Sequence, residues 1–336
     1  MSTNNHLPQP PNTTEYEFRP ARLEDAPAIH RTQIAIDAHD SREWAGTLAD
    51  TEKNFEDPAT DAATGSLIAL TPESDVAALG WVFAPKKVEN KHRAYLWLDV
   101  HPRHRANGLK DFMLEWAEAR ARQILAERPL NLPHAIRSGC MDNDPYKITM
   151  LEQHGYQPVR HFFTMRRDLD QPIADVALPP DVTIRPWGLD VDERTFEASN
   201  DAFQDHWGFE PETKEIWDLF YTGSESFRGD LSFVIMAGDK VVGFSLNYLS
   251  PEENERNGIQ EAWVGELAVR RPWRKRGFAT ALLNQSMHAF EAEGLDYATL
   301  GVDTENPTGA LGVYERVGFA PVKRSISFAK TIHEPQ

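Results

Sequence analysis

The chain runs to 336 residues with a formal net charge of −17, 40% hydrophobic residues and a single cysteine, Cys140. That length predicts two domains of an ordinary globular protein, and the lone cysteine excludes an internal disulfide framework and fits a reducing cytoplasm. The acidic balance argues against general nucleic-acid binding and mildly favours a cationic partner such as a free amine.

Residues 1–14 (MSTNNHLPQPPNTT) lack the basic and apolar regions of a signal peptide, and no later run reaches the length of a membrane span. This opening reads as a disordered lead-in. From Phe18 onward the chain repeats itself. "FRPARLEDAPAI" at Phe18 returns as "IRPWGLDVDERTF" at Ile184, and "AALGWVF" (77–83) as "KVVGFSL" (240–246). "LWLDVHPRHRANG" returns as "GELAVRRPWRKRG", setting Gly108 against Gly277. "NDPYKITMLEQHGY" returns in part as "NPTGALGVYERVGF", with Asn143 against Asn306 and Gly155 against Gly318. Matches in one order at a nearly constant offset predict a duplicated domain. Domains are expected at 15–170 and 182–332, joined by a linker at 171–181 where Pro and Asp interrupt the periodicity.

The second copy is the more legible. "VTIRPW" predicts a strand, "VDERTFEASNDAF" an amphipathic helix, and a further helix around 211–221 follows the loop "DHWGFEP". "LSFVIMA" and "KVVGFSLNYL" are strands joined through "GDK", a hairpin signal, and "EAWVGELAV" is another strand. "FATALLNQSMHAFEAEG" is a helix closed by Gly294, and "DYATLGVD" is a strand. "PTGALGVYERVG" is a short helix closed by Gly318, and "FAPVKRSISFAK" is the last strand. The order predicts a mixed α/β fold with a largely antiparallel sheet, repeated in the first copy.

The stretch "LAVRRPWRKRGFAT" (267–280) gathers five basic residues in an acidic chain. A strand ends at Val269 and a helix begins after Gly277. The first helical N–H groups therefore lack intrahelical acceptors and lie at the positive end of the helix dipole. A pyrophosphate could take them: Gly277 gives an open backbone, Ala279 a small side chain, and Arg274, Lys275 and Arg276 positive charge. A solvated basic loop fits the same residues.

Val269, Arg274, Gly277 and Ala279, in the pattern V-x-x-x-x-R-x-x-G-x-A, resemble the acetyl-coenzyme A motif of the GNAT superfamily, the GCN5-related N-acetyltransferases. The run from Asn306 to Phe319, with Tyr314 following the asparagine and then Gly318-Phe319, resembles that family's second motif. The resemblance covers the second half fully and the first in outline. It implies two tandem acyl-CoA N-acyltransferase domains and direct acetyl transfer from acetyl-CoA, as co-substrate, to a primary amine. It also implies that Leu267, Ala268 and Val269 pair with the pantetheine arm. Arg274, Lys275, Arg276, Gly277, Phe278, Ala279 and Thr280 would hold the pyrophosphate, with Asn306 nearby. A backbone N–H near Ala268 or Val269 is the implied donor to the thioester oxygen, and Tyr314 the implied acid for the departing thiolate. Part of the family places a base six residues before the motif valine; that position here is Trp263, which cannot serve. Glu266 is the first choice of base, with Glu261 also on the strand and a solvent-facing carboxylate as the plainer reading of either. Asp205 and His206 in "FQDHWG" are alternatives for the base, and with Trp207 they are expected to touch the acceptor, against the reading of a helix cap and a surface histidine.

The first copy departs where chemistry is expected. Lys110 stands in the place of Ala279 and Leu151 in the place of Tyr314, so this copy is expected to be catalytically silent. His101 and His104 lack a surrounding ligand cluster, and no metal is expected. The expectation is a cytoplasmic monomer or homodimer acting on a small-molecule amine, with no membrane or nucleic-acid partner. The rival is a non-enzymatic module that uses the fold to bind acyl-CoA or a protein. Tyr314 together with Arg274, Gly277 and Ala279 separates the two, because a scaffold needs no proton donor.

Overall fold

The computed structural model describes residues 6–43, 45–86, 88–174 and 176–335. The first half of the chain supplies β1 (Glu17–Arg19), α1 (Ala26–Asp40), α2 (Leu48–Lys53), α3 (Ala62–Gly65), β2 (Ser66–Leu70), β3 (Val76–Phe83), β4 (His92–Val100), α4 (Leu109–Ala126), β5 (His134–Met141), α5 (Pro145–Gln153) and β6 (Gln157–Asp168). The second supplies β7 (Thr183–Pro186), α6 (Asp192–Ala202), α7 (Lys214–Ile216), which runs on as a π-helical turn at Trp217–Tyr221, β8 (Phe233–Ala237), β9 (Lys240–Tyr248), α8 (Pro251–Asn257), β10 (Glu261–Val269), α9 (Phe278–Ala292), β11 (Tyr297–Asp303), α10 (Ala310–Arg316) and β12 (Ala320–His333).

Two compact units result, Met1–Arg160 with Ser325–Gln336, and His161–Arg324. In the first, β1 to β5 pair in order, antiparallel except for the parallel pair β4–β5, and the C-terminal part of β12 adds antiparallel to β5. In the second, β7 to β11 repeat that order with β10–β11 parallel, and the C-terminal part of β6 adds antiparallel to β11. The last strand of each sheet therefore comes from the other half of the chain. This differs from the continuous segments expected at 15–170 and 182–332. The physical reason is that β6 and β12 occupy equivalent slots beside β11 and β5, and local alternation reads the same whichever sheet receives a strand.

The expected linker does not hang free. Ile173 and Leu178 pack on the second unit's core, the Asn284 amide donates to the Ala174 carbonyl, and Asp181 pairs with Arg276. Of the expected lead-in, residues 1–5 lie outside the described residues, while 6–14 form no helix or strand and Leu7 packs against the first unit's core. Gly238 and Asp239 turn the β8–β9 hairpin as its sequence indicates. The sequence reading missed α8, although Ser250 caps it, Pro251 opens it and Gly258 closes it in the left-handed conformation. The long helix α9 buries Phe278, Leu282, Leu283, Met287 and Phe290, spaced for one helical face, against the sheet. That burial, at about 1.5–3 kcal/mol per large apolar side chain, fixes where the helix begins and hence the site.

Candidate active site

The site starts from a defect in β10. Its register against β9 shifts between Val264 and Glu266, which places a bulge at Gly265. A Cβ there would lie 2.4 Å from the Tyr248 ring, so glycine is required. Parallel pairing of β10 with β11 runs only from Glu261↔Tyr297 to Val264↔Leu300, although β11 continues to Asp303. Past the bulge the strands part, and Leu267, Ala268 and Val269 line the gap with main-chain groups that β11 does not take.

Below that gap the chain turns into α9. Lys275 has φ +62° and Gly277 φ +81°, and the helix start at Gly277 has no side-chain cap. The N–H groups of Phe278, Ala279 and Thr280 thus face a groove of about 770 Å³, with the dipole favouring an anion there. Asn306 and Thr308 form the opposite lip, the Asn306 side-chain oxygen accepting from the Thr308 N–H at 2.9 Å.

The basic residues are used differently from expectation. Arg274 donates from Nε to the Val269 carbonyl at 3.0 Å, to Asp205 at 2.6 Å and to the Ala202 carbonyl at 2.8 Å. It ties the loop to the end of α6 and lines the groove with a guanidinium that is already occupied. Arg276 pairs with Asp181 at 3.0 Å and lies over Trp273 and Phe278, and it is not among the groove-lining residues. Lys275 lines the groove and has no ion pair among the described residues. Charge for a phosphate therefore rests on Lys275 and Arg316, which both line the groove, with the helix start and the main chain.

Asp205 takes Arg271 (2.8 Å from Nε) as well as Arg274, and the two cations hold its carboxyl down at about 2. It braces the loop and also lines the groove where an acceptor contact was expected. His206 lines the same groove, edge-on to Phe203 at 4.4 Å, and burial with the nearby Arg274 charge lowers its pKa. Trp207 does not line the groove; its ring packs near Phe162, 6.3 Å between centroids.

Tyr314, on α10, lines the groove and is only 8% exposed. Burial, then the Glu266 charge, pushes its phenol up to about 12, so it keeps its proton at any working pH. Glu266 follows the bulge, half-buried in a recess that it shares electrostatically with Glu212, Tyr221 and Tyr248. Desolvation first, then the like charge of Glu212, pushes its carboxyl up to about 8. Glu261, by contrast, is saturated: Arg166 pairs with it at 2.8 Å, Thr299 donates at 2.6 Å and the Trp263 indole at 3.1 Å. Glu212 is the residue that sequence reasoning missed. Nothing in the local pattern of 210–215 places it beside β10.

The first unit keeps the frame and loses the groove. Arg105 donates to the Val100 carbonyl at 3.3 Å and forks onto Asp40, where Arg274 donates to the Val269 carbonyl and meets Asp205 through a single nitrogen. β4 runs against β3 without a bulge. Arg105 and Lys110 both lie over the Tyr146 ring, at 4.6 and 4.9 Å, and the space left is about 20 Å³, room for about one water. Leu151 is fully buried in the core. Cys140 is buried, which pushes its thiol up to about 11, an inert group. His101 and His104 are taken up locally, accepting from the Arg103 N–H and bonding the Tyr16 hydroxyl. Among the described residues no three His, Cys, Asp or Glu side chains group as metal ligands, and no helix is long and apolar enough to cross a membrane.

A parted parallel strand pair and an uncapped helix start around one groove, with a buried tyrosine lining it, are what the resemblance to acyl-coenzyme A-dependent acyltransferases implies. Residues 193–319 match the acetyltransferase (GNAT) family model, and that part of the chain belongs to the GNAT family of N-acetyltransferases. It is 27% identical to the mycothiol acetyltransferase of Saccharopolyspora erythraea across 69% of this chain and 75% of that one. It is 26% identical to the mycothiol acetyltransferase of Pseudarthrobacter chlorophenolicus across 89% and 95%. The crystal structure of a GCN5-related N-acetyltransferase from Sphaerobacter thermophilus superposes with a TM-score of 0.72 at 28% identity, covering 96% of this chain and 97% of that one. A tandem GNAT protein from the clavulanic acid biosynthesis pathway shares the fold at TM-score 0.68 and 16% identity, across 94% and 98%. An enzyme, rather than a scaffold, is the class these findings support.

Proposed function

We propose that the second unit transfers the acetyl group of acetyl-CoA directly to the primary amine of a small molecule. The observation that supports this most is that Tyr314, held protonated, lines the groove within electrostatic reach of Glu266, whose carboxyl is pushed up to about 8 in a recess just outside the groove lining. The residues present fit the co-substrate. The uncapped N–H groups of Phe278, Ala279 and Thr280, with Lys275, hold the pyrophosphate, and Leu267 to Val269 offer a strand edge to the pantetheine arm. A main-chain N–H at Ala268 or Val269 steadies charge on the thioester oxygen.

Glu266 accepts the proton of the incoming ammonium, directly or through water, and Tyr314 gives its phenolic proton to the departing sulfur. Each residue is in the right state beforehand: near pH 8 a working fraction of Glu266 is ionised while Tyr314 is not. The acidic recess of Glu212 and Glu266 favours a cationic acceptor. The relatives' name makes the amine precursor of mycothiol the first candidate. The test is thiol release from acetyl-CoA against a panel of that precursor, amino sugars, polyamines and lysine peptides, after a calorimetric titration with acetyl-CoA. One bound acetyl-CoA per chain and turnover with a small amine are expected. Turnover confined to peptides, or two equivalent sites, refutes the reading.

A further inference from the structure

The first unit has lost its cofactor groove but not its interior. Where the parallel pair β4–β5 ends at Tyr95↔Arg137, the strands part around a cavity of about 350 Å³, at the small end of ligand pockets. The stacked rings of Phe83 and Tyr95 (5.0 Å apart, 11° between planes) and Trp97 give it apolar walls. Its polar lining is one-sided. Asp99 accepts from Arg42 at 3.0 Å and from the Trp97 indole at 2.8 Å. Asp37, behind Arg42, accepts from that guanidinium at 3.1 Å and from the Ala45 N–H. The carboxylates are thereby used up.

The donors are not. Lys147 is 6% exposed, lines the cavity, and among the described residues no acceptor lies within hydrogen-bond or ion-pair reach of its Nζ. Gln33 is 4% exposed, and its amide nitrogen is buried without a partner while its oxygen accepts from Thr51. Arg137 adds a third cation to the lining. A buried ammonium and a buried amide N–H left without acceptors each carry a desolvation cost, and that cost is recovered when an acceptor enters. Burial lowers the Lys147 pKa, the direction expected of an ammonium awaiting a counter-ion.

We infer that the first unit is a binding domain for a small organic carboxylate, whose acid group meets Lys147 and Gln33 and whose apolar body lies against Phe83, Tyr95 and Trp97. This role is separate from the acetyl transfer of the second unit. A cavity whose own carboxylates are satisfied and whose ammonium is not selects an anion over an amine.

The experiment uses the full chain saturated with acetyl-CoA. Phenylacetate and its amine counterpart phenethylamine are titrated by saturation-transfer NMR, with Trp97 fluorescence as a second readout. Phenylacetate is expected to bind at one site per chain and phenethylamine not. Lys147→Met should weaken phenylacetate at least tenfold and Gln33→Leu severalfold, both leaving turnover unchanged. Should Lys147→Met fail to fold, the Gln33→Leu titration carries the test. Equal binding of the amine, unchanged affinity in the variants, no phenylacetate binding by the parent chain, or its displacement by acetyl-CoA each overturns the inference.

Discussion

Substituting Glu266 by glutamine perturbs a group that the proposed mechanism ties to rate and its raised pKa ties to stability. Its carboxyl is pushed up to about 8, first by desolvation and then by Glu212, while in the unfolded chain it ionises near 4.5. Between those values the folded protein keeps a proton that the unfolded chain has released. The unfolded state then binds fewer protons, so stability falls as pH rises through this window. At about 1.4 kcal/mol per pH unit, the whole interval corresponds to roughly 5 kcal/mol lost by pH 9, an upper figure because the β10 recess can admit water. Glu266→Gln should flatten that loss, so that urea unfolding shows the variant gaining on the parent chain at pH 9 and matching it at pH 4. In activity the sign is opposite. The base works only when ionised, so kcat/KM of the parent rises with pH up to about 8 and levels above. Glu266→Gln should remove this limb and cost roughly 10²- to 10⁴-fold. The acceptor amine has its own limb, which no protein variant moves. Glu212→Gln separates the two, because relieving the like charge shifts only the Glu266 midpoint, downward. An unmoved midpoint in Glu212→Gln, together with an intact limb in Glu266→Gln, would refute the assignment of the base.

Tyr314→Phe should lower kcat roughly 10²- to 10³-fold with KM for acetyl-CoA within about twofold, since the ring still fills its place; a change confined to KM would leave it a packing residue. Gly277→Glu should abolish calorimetric binding of acetyl-CoA by setting a carboxylate where an anion belongs. With φ at +81° it should also cost about 1–2 kcal/mol of stability, seen as a lower Tm. Asp205→Asn leaves Arg271 and Arg274 without their carboxylate and should raise KM for acetyl-CoA severalfold with kcat nearly unchanged. A fall in kcat alone would return Asp205 to the acceptor side.

The sequence made the local elements and the loop legible because both depend on neighbours in the chain. The periodicity of 278–292, the turn at Gly238-Asp239 and the helix start after Gly277 are all short-range features. What it could not show depends on residues far apart. Arg274 reads as a phosphate ligand from "RKRG", but its partner is Asp205 in another loop, and Arg276 is taken by Asp181 on the linker. The exchange of β6 and β12 leaves no mark on either strand's own pattern. Gly265 was a signal that could have been used: a glycine inside "AWVGELAV" marks a bulge or a close approach, and here it is both.

The two copies make a comparison within one chain. The arginine frame, Arg105 on Asp40 and Arg274 on Asp205, is kept in both, including the copy that lacks an acid and a groove, so that frame serves folding. What separates the copies lies on one strand and one helix. Matching Val100 to Val269 sets Leu96 in the place of Gly265 and Trp97 in the place of Glu266, and Leu151 stands where Tyr314 does. The bulge and the residues proposed as base and acid differ together, as the proposed chemistry in the second copy requires. Gly265→Ala tests the bulge directly. Its Cβ would meet the Tyr248 ring at 2.4 Å, an overpacking that costs about 1–3 kcal/mol and moves β10 toward the straight course of β4. Activity should fall at least tenfold, and adding Tyr248→Leu should restore most of it by making room for the methyl group. If the double variant stays as inactive as the single one, the gap at the active site does not depend on that contact, and the opening of β10 from β11 needs another cause.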